Sequence, residues 1–214
     1  MFNSPRARRA QPRPGPFRLL AAGLLLYTAF TVAKAEPFTN IAPLSPQPSA
    51  EAVKPGLAVE YLNQKFYTLE EIYSPEVKPV AGEPIPVLDQ LSKIDPITDE
   101  PVMGIPVLTS DRSMLVGAYI RGMINFDKPG NWTLYLVSND GVRFWIGDVQ
   151  LWEDPEIHFD RESDPLELVI PEAGWYDFKL DYYQKKGTAA LQLLWAPPGG
   201  EKQVVPAEAL AHVE

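Results

Sequence analysis

Three kinds of residue in this chain could do chemistry: an amide beside a carboxylate in a turn, a run of acids, and a set of tryptophans. Asn139-Asp140-Gly141 sits between two apolar stretches, and all three residue types tolerate the left-handed backbone of a tight hairpin, so the triplet reads as a turn. Asp148, Glu153, Asp154, Glu156, Asp160, Glu162 and Asp164 supply carboxylates without the order of an EF-hand loop. Acid–base cleavage of a glycoside needs two carboxyl groups held about 5–10 Å apart across a sugar ring, which spacing along a loop does not set. The run therefore reads as a solvated loop with a weak attraction for cations. His158 and His212, the only histidines, lie in no zinc-binding or Gly-x-Ser-x-Gly pattern and read as surface side chains. No glycine-rich phosphate loop is present, and no enzyme is expected. Trp145, Trp152, Trp175 and Trp195 could each stack on a pyranose. Trp132 and Trp195 alternate with leucines and belong in a core, which leaves Trp145 and Trp152 as candidate exposed ligand contacts.

The elements that must position these residues are strands. From Leu115 onward the hydrophobic period is two. Val116, Ala118, Ile120, Ile124 and Phe126 share one face, and a turn at Asp127-Lys128-Pro129-Gly130 follows. Trp132, Leu134 and Leu136 then alternate with polar residues, as do Val142, Phe144 and Ile146 after the Asn139 turn. Gly147-Asp148 has the chemistry of a two-residue hairpin. The last long hairpin runs from Tyr176, Phe178, Leu180 and Tyr182 through Gln184-Lys185-Lys186-Gly187 to Ala189, Leu191, Leu193 and Trp195. Short strands with frequent turns predict an all-β, antiparallel β-sandwich.

Several segments, in order, carry a family likeness: G-L-A-V-E-Y-L from Gly56, V-L-T-S-D-R-S, P-G-N-W-T-L-Y-L-V-S-N-D-G-V-R-F-W-I-G-D, A-G-W-Y-D-F-K-L-D-Y-Y and G-T-A-A-L-Q-L-L-W. Together they resemble the anthrax protective-antigen N-terminal (PA-fourteen) domain family, a lectin-like β-sandwich also found in yeast flocculation adhesins and inserted in bacterial glycosidases. The resemblance implies a carbohydrate-binding module. In calcium-dependent lectins of this family two adjacent aspartates joined by a cis peptide occupy the loop matching Ser138-Asn139-Asp140-Gly141, which makes Asn139 and Asp140 the implied Ca²⁺ ligands. Calcium takes about 6–8 oxygens and can admit sugar hydroxyls among them. Asn139 replaces the first aspartate and removes a negative charge. Gln184 is the nearest match to the amide ligand of a second loop, and Lys185 and Lys186 beside it disfavour a divalent cation. Calcium is thus a possible cofactor, and a protein partner in the cell envelope is the alternative to a glycan.

Composition bounds the rest. The chain has 214 residues, 45% hydrophobic, with 23 prolines and no cysteine, so neither a disulfide framework nor a lipidated cysteine anchors it. Arg6, Arg8, Arg9, Arg13 and Arg18 precede an uncharged run from Leu19 to Ala33, and Ala33-Lys34-Ala35 spells a cleavage site, which predicts a signal peptide over 1–35. The uncharged run is shorter than the roughly 20 apolar residues of a spanning helix, so membrane attachment is expected only through an uncleaved leader. The leader holds six of 19 basic residues and no acid, leaving 13 against 28 and a charge of −15. That balance excludes nucleic acid as a partner. Residues 36–55, rich in proline, are expected to be a linker; residues 56–212 are expected to form the sandwich. In the proline-rich stretch 75–106, Val87, Leu88, Leu91, Ile94, Ile97 and Val102 are expected to wrap the core, with one helical turn at 87–91. Export to the periplasm or the medium predicts that N-terminal sequencing of the mature protein from an exporting bacterial host begins at Glu36.

Overall fold

The computed structural model describes residues 35–213, so the leader expected over 1–35 lies, up to Lys34, outside the described residues. The chain runs through β1 (Val53–Pro55), β2 (Ala58–Leu62), a 3₁₀ turn at Leu69–Tyr73, β3 (Val80–Ala81), β4 (Asp89–Gln90), β5 (Val116–Phe126) and β6 (Gly130–Asn139). It continues with β7 (Val142–Ile146), β8 (Val149–Asp154), β9 (Arg161–Glu162), β10 (Leu166–Ile170), β11 (Gly174–Gln184), β12 (Ala190–Ala196), β13 (Gln203–Val204) and β14 (Leu210–Val213). One sheet has the order β1-β14-β5-β11-β7-β8, with β2 and β3 added beside β5; the other has the order β10-β6-β12-β13, flanked by β4 and β9. The strand pairs are antiparallel, giving the two-layered β-sandwich that the alternation predicts. Among the described residues no helix is long and apolar enough to cross a membrane.

The period-two faces become the core. Val116, Ala118, Ile120, Ile124 and Phe126 of β5, Val142, Phe144 and Ile146 of β7, and Tyr176, Phe178, Leu180 and Tyr182 of β11 are all buried against Trp132, Leu134, Leu136, Leu191, Leu193 and Trp195 of the facing sheet. Phe126 is the hub of the aromatic end, its ring 5.0 Å from Trp132 and 5.3 Å from Tyr176, both edge-on, the arrangement that ring quadrupoles favour. This cluster lies where β5 turns into β6. Asn139 lies at the other end of β6, so the apolar lock and the polar loops occupy opposite ends of the same strand.

Residues 36–55 are not a free spacer. Phe38 bonds to β10 through Phe38 N–H to Glu167 O (2.8 Å) and Val169 N–H to Phe38 O (2.9 Å), Ile41 is 2% exposed, and Gln47 accepts the Trp175 amide at 2.8 Å. Prolines leave this strap few donors to satisfy, and Phe38, Ile41 and Leu44 give it enough apolar surface to dock. The stretch 75–106 departs from expectation in the other direction. Leu88 is buried, but Asp89–Gln90 pairs with β12 in place of a helical turn. Leu91, Ile94, Ile97 and Val102 face solvent, Ile97 being 92% exposed.

A second small core, of Leu62, Phe66, Leu69, Ile72 and Tyr183, sits beneath the 3₁₀ turn on the outer face of the larger sheet. It is tied down by Tyr73, whose hydroxyl donates to Asp181 Oδ2 at 2.5 Å, and by Tyr119, whose hydroxyl donates to Ile72 O at 2.6 Å. Asp181 is buried, and Arg121 neutralises it at 2.6 Å. Burial and the Asp181 carboxylate hold the Tyr73 phenol well above its ordinary range. Truncating the hub of the main core is the sharper test of the architecture: Phe126→Ala is expected to cost about 3–5 kcal/mol, read as a lower urea midpoint with an unchanged slope.

Candidate functional site

Four loops meet at the Asn139 end of the sandwich. They are 91–105, the turn 139–141 between β6 and β7, the stretch 154–161 between β8 and β9, and the turn 184–188 between β11 and β12. Asp140, 3% exposed, joins three of them. Its Oδ1 accepts the His158 amide at 3.1 Å and its Oδ2 accepts the Lys185 amide at 2.7 Å. Burial pushes this carboxyl above the ordinary aspartate range; the two amide bonds, His158 and Lys185 pull the other way without cancelling that effect. Asp160 makes a second clasp, accepting the Ser92 amide at 3.0 Å, the Ser92 hydroxyl at 2.5 Å and the Asn139 side-chain amide at 3.0 Å. Asn139 Nδ2 also reaches Thr188 Oγ1 at 3.3 Å, and the Tyr182 hydroxyl donates to Asn139 O at 2.5 Å.

The turn itself differs from the expected hairpin. None of Asn139, Asp140 and Gly141 has a positive φ; the Asn139–Asp140 peptide bond is cis, as in the lectins that the sequence resembles. Gly141 is needed for space rather than handedness, because a Cβ there would collide with the Tyr183 ring. His158, expected at the surface, has a buried ring, with Nε2 3.3 Å from Asp154 Oδ2 and Nδ1 2.6 Å from Phe159 O. Part of the acidic run is likewise internal: Asp154 is buried and accepts from Arg161 Nη1 at 2.7 Å.

Together the loops enclose a cavity of about 600 Å³. Pro101, Met103, Ile157 and Phe159 form its apolar wall, and Asn139, Asp140, Asp160 and Thr188 its polar side, with Arg161 and Lys186 also lining it. Phe159 is 88% exposed, an aromatic face held out on a loop whose neighbours on both sides are anchored. Of the residues expected to bind ligand, Asn139 and Asp140 line the cavity. Gln184 is fully buried beneath it, its Nε2 donating to Thr188 O at 3.1 Å. Trp145 and Trp152 do not line it. Trp152 packs against the main core, and Trp145 is half-buried on β7 with the Arg143 guanidinium 6.0 Å from its ring centre. The sequence reading missed Phe159; its signal was an apolar pair, Ile157 and Phe159, inside an otherwise acidic run.

The donor set does not fit a resident calcium ion. Gln184 Oε1 is a buried oxygen without a hydrogen-bond donor, as a ligand would be. Against it, both Asp140 oxygens are taken by backbone amides, Asn139 directs its nitrogen at the Asp160 carboxylate, and Lys185 and Lys186 follow in the adjoining turn. Among the described residues no group of three or more acidic, histidine or cysteine side chains is placed to hold a metal. The arrangement counts against Asn139 and Asp140 as metal ligands, because the pair brings one carboxylate and both of its oxygens already accept backbone amides. Melting curves in calcium and in chelator are therefore expected to coincide. Asp140→Ala is expected to lower stability by about 3 kcal/mol in both, since it orphans two buried amides; calorimetry checks both outcomes.

The profile of the PA14 domain matches residues 114–209. Anti-sigma-I factor RsgI3 of Acetivibrio thermocellus is 34% identical over 83 residues, 37% of this chain and only 12% of that protein's length. The PA14 domain of the MpAFP antifreeze protein superposes with a TM-score of 0.58 at 14% identity, over 77% of this chain and 94% of the domain. Epithelial adhesin 9 A domain of Candida glabrata, solved in complex with Galβ1-4GlcNAc, gives 0.62 at 12% identity over 83% and 97%. The matched residues run from β5 to the turn before β14 and carry three of the four cavity loops, so this part of the sandwich is similar to the PA14 domain, whose fold it shares.

Proposed function

We propose that this chain is a non-catalytic carbohydrate-binding module of an exported protein, periplasmic or secreted, that takes its glycan in the cavity at the Asn139–Asp140 end without a resident calcium ion. The observation that carries this reading is Phe159, an aromatic ring 88% exposed that lines a cavity of about 600 Å³ together with amide, carboxylate and hydroxyl groups. A pyranose has the same division, apolar C–H faces and a hydroxyl edge, and the volume suits a small-ligand site. The similarity in fold to an adhesin domain bound to Galβ1-4GlcNAc supports the class of ligand. Asn139, Asp160 and Thr188 offer the hydroxyl-binding groups, while Trp145 and Trp152 lie outside the cavity.

A second reading, protein–protein assembly in the envelope, is favoured by one feature. Ile94, Ile97 and Met103 are exposed on the 91–105 loop, more apolar surface than a saccharide would cover. A glycan array probed in chelator separates the two. The carbohydrate reading expects a defined set of hits that Phe159→Ala weakens by about tenfold or more, equivalent to about 1.4 kcal/mol, with the melting temperature unchanged. A blank array, together with co-purification of one stoichiometric partner that Ile97→Ser disrupts, would replace it with the assembly reading.

A further inference from the structure

The charges lining the cavity are not equally committed. Asp140 is held by the His158 and Lys185 amides, and Asp160 by Ser92 and Asn139. Arg161 is paired with Asp154 at 2.7 Å and lies 3.9 Å from Glu156. His158 is turned into the protein against Asp154 at 3.3 Å. Lys186 differs from all of these. It is exposed at the tip of the β11–β12 turn, lines the cavity, and has no acceptor among the described residues. The preceding lysine does not share its role, because Lys185 lays its ammonium over the Tyr67 ring, 4.4 Å from the centroid.

From this asymmetry we infer that the ligand is an acidic saccharide, a hexuronic acid being the simplest, whose ring lies on Phe159 and whose carboxylate meets the Lys186 ammonium. This rests on the carbohydrate reading and narrows it. An ammonium that lines a cavity without a partner can donate to a neutral hydroxyl, but only an anion adds ion-pair attraction to that hydrogen bond. Asn139 presents an amide, and the two aspartates that line the cavity, Asp140 and Asp160, already accept hydrogen bonds from backbone and side-chain donors. The whole chain carries a charge of −9, which opposes a long polyanion such as nucleic acid but is screened from a small ligand within a Debye length of Lys186, about 8–10 Å.

The test titrates the full chain, in chelator and at about 0.1 M salt, where the Debye length is about 10 Å, with a hexuronic-acid trisaccharide, with its carboxyl-reduced neutral counterpart, and with triglutamate. The uronate is expected to bind about tenfold more tightly than the neutral sugar. That preference, and not the neutral-sugar affinity, should vanish in Lys186→Gln, whose melting temperature should match the wild type because the exposed residue has no hydrogen bond or ion pair among the described residues. Phe159→Ala should weaken both sugars alike. Equal binding of the two sugars overturns this inference while leaving the carbohydrate module intact; binding of neither removes both. Triglutamate binding as tightly as the uronate would assign the site to acidic peptides and overturn it as well.

Discussion

The Asp140 carboxylate joins three lengths of chain that the two sheets alone leave independent. Antiparallel pairing fixes β6, β7, β8, β11 and β12, but it ends at Asn139, Asp154 and Gln184, and the loops beyond have no ladder to hold them. Two backbone amides on one buried carboxylate replace that ladder, placing the 154–161 loop and the 184–188 turn at fixed positions against the 139–141 turn. Burial alone makes such a carboxylate costly, which is why its acidity is weakened. The amides keep the cost tolerable by accepting the work that water would do for an exposed carboxylate. Phe159 and Lys186, the aromatic and cationic features of the cavity, are each carried one residue from an amide that Asp140 binds.

That clasp depends in turn on the sandwich behind it. Tyr182 ends the inward-facing row of β11 and reaches the Asn139 carbonyl, so the polar turn is braced from within by a core residue. The opposite end of β6 is locked by aromatic contacts among Phe126, Trp132 and Tyr176, with the Trp132 indole and the Tyr176 hydroxyl each donating to a nearby carbonyl. A rigid apolar end and a polar end of anchored loops is the division that lets loops vary while the frame stays fixed. The 36–55 strap serves the same frame by pairing Phe38 along β10, which covers backbone that would otherwise lie open at the edge of the smaller sheet.

The sandwich was legible in the sequence because a half-buried strand writes its environment into a period of two; each alternating row from Val116 to Trp195 went inward as spaced. Asn139 and Asp140 were legible as a special turn because the family likeness is carried by those residues. What was illegible depended on contacts between segments distant in sequence. Nothing local to Trp152 says that it packs on the core, and nothing local to Gly141 says that Tyr183 occupies the space of its side chain. Residues 36–55 have the composition of a spacer, and only the open edge beside Phe38 makes them a strap. Phe159 was hidden for a related reason: a loop residue has no period, so its exposure follows from the anchors at His158 and Asp160 on either side of it.

Likeness in fold and site chemistry separate at this end of the molecule. The chain has the cis turn of the calcium-dependent lectins that its sequence resembles, but the residues around that turn are engaged with one another. Asn139 is neutral, Asp140 and Asp160 are used as clasps between loops, and the turn beside Gln184 carries two ammonium groups. A divalent ion contributes positive charge and rigidity together. Here the rigidity comes from the carboxylate clasps and the positive charge from a lysine, so the two contributions reside on different residues. A fold fixes where loops meet, not what they bind. On the carbohydrate reading proposed above, ligand selection falls to Phe159 and Lys186, residues on two loops whose relative position depends on the Asp140 carboxylate.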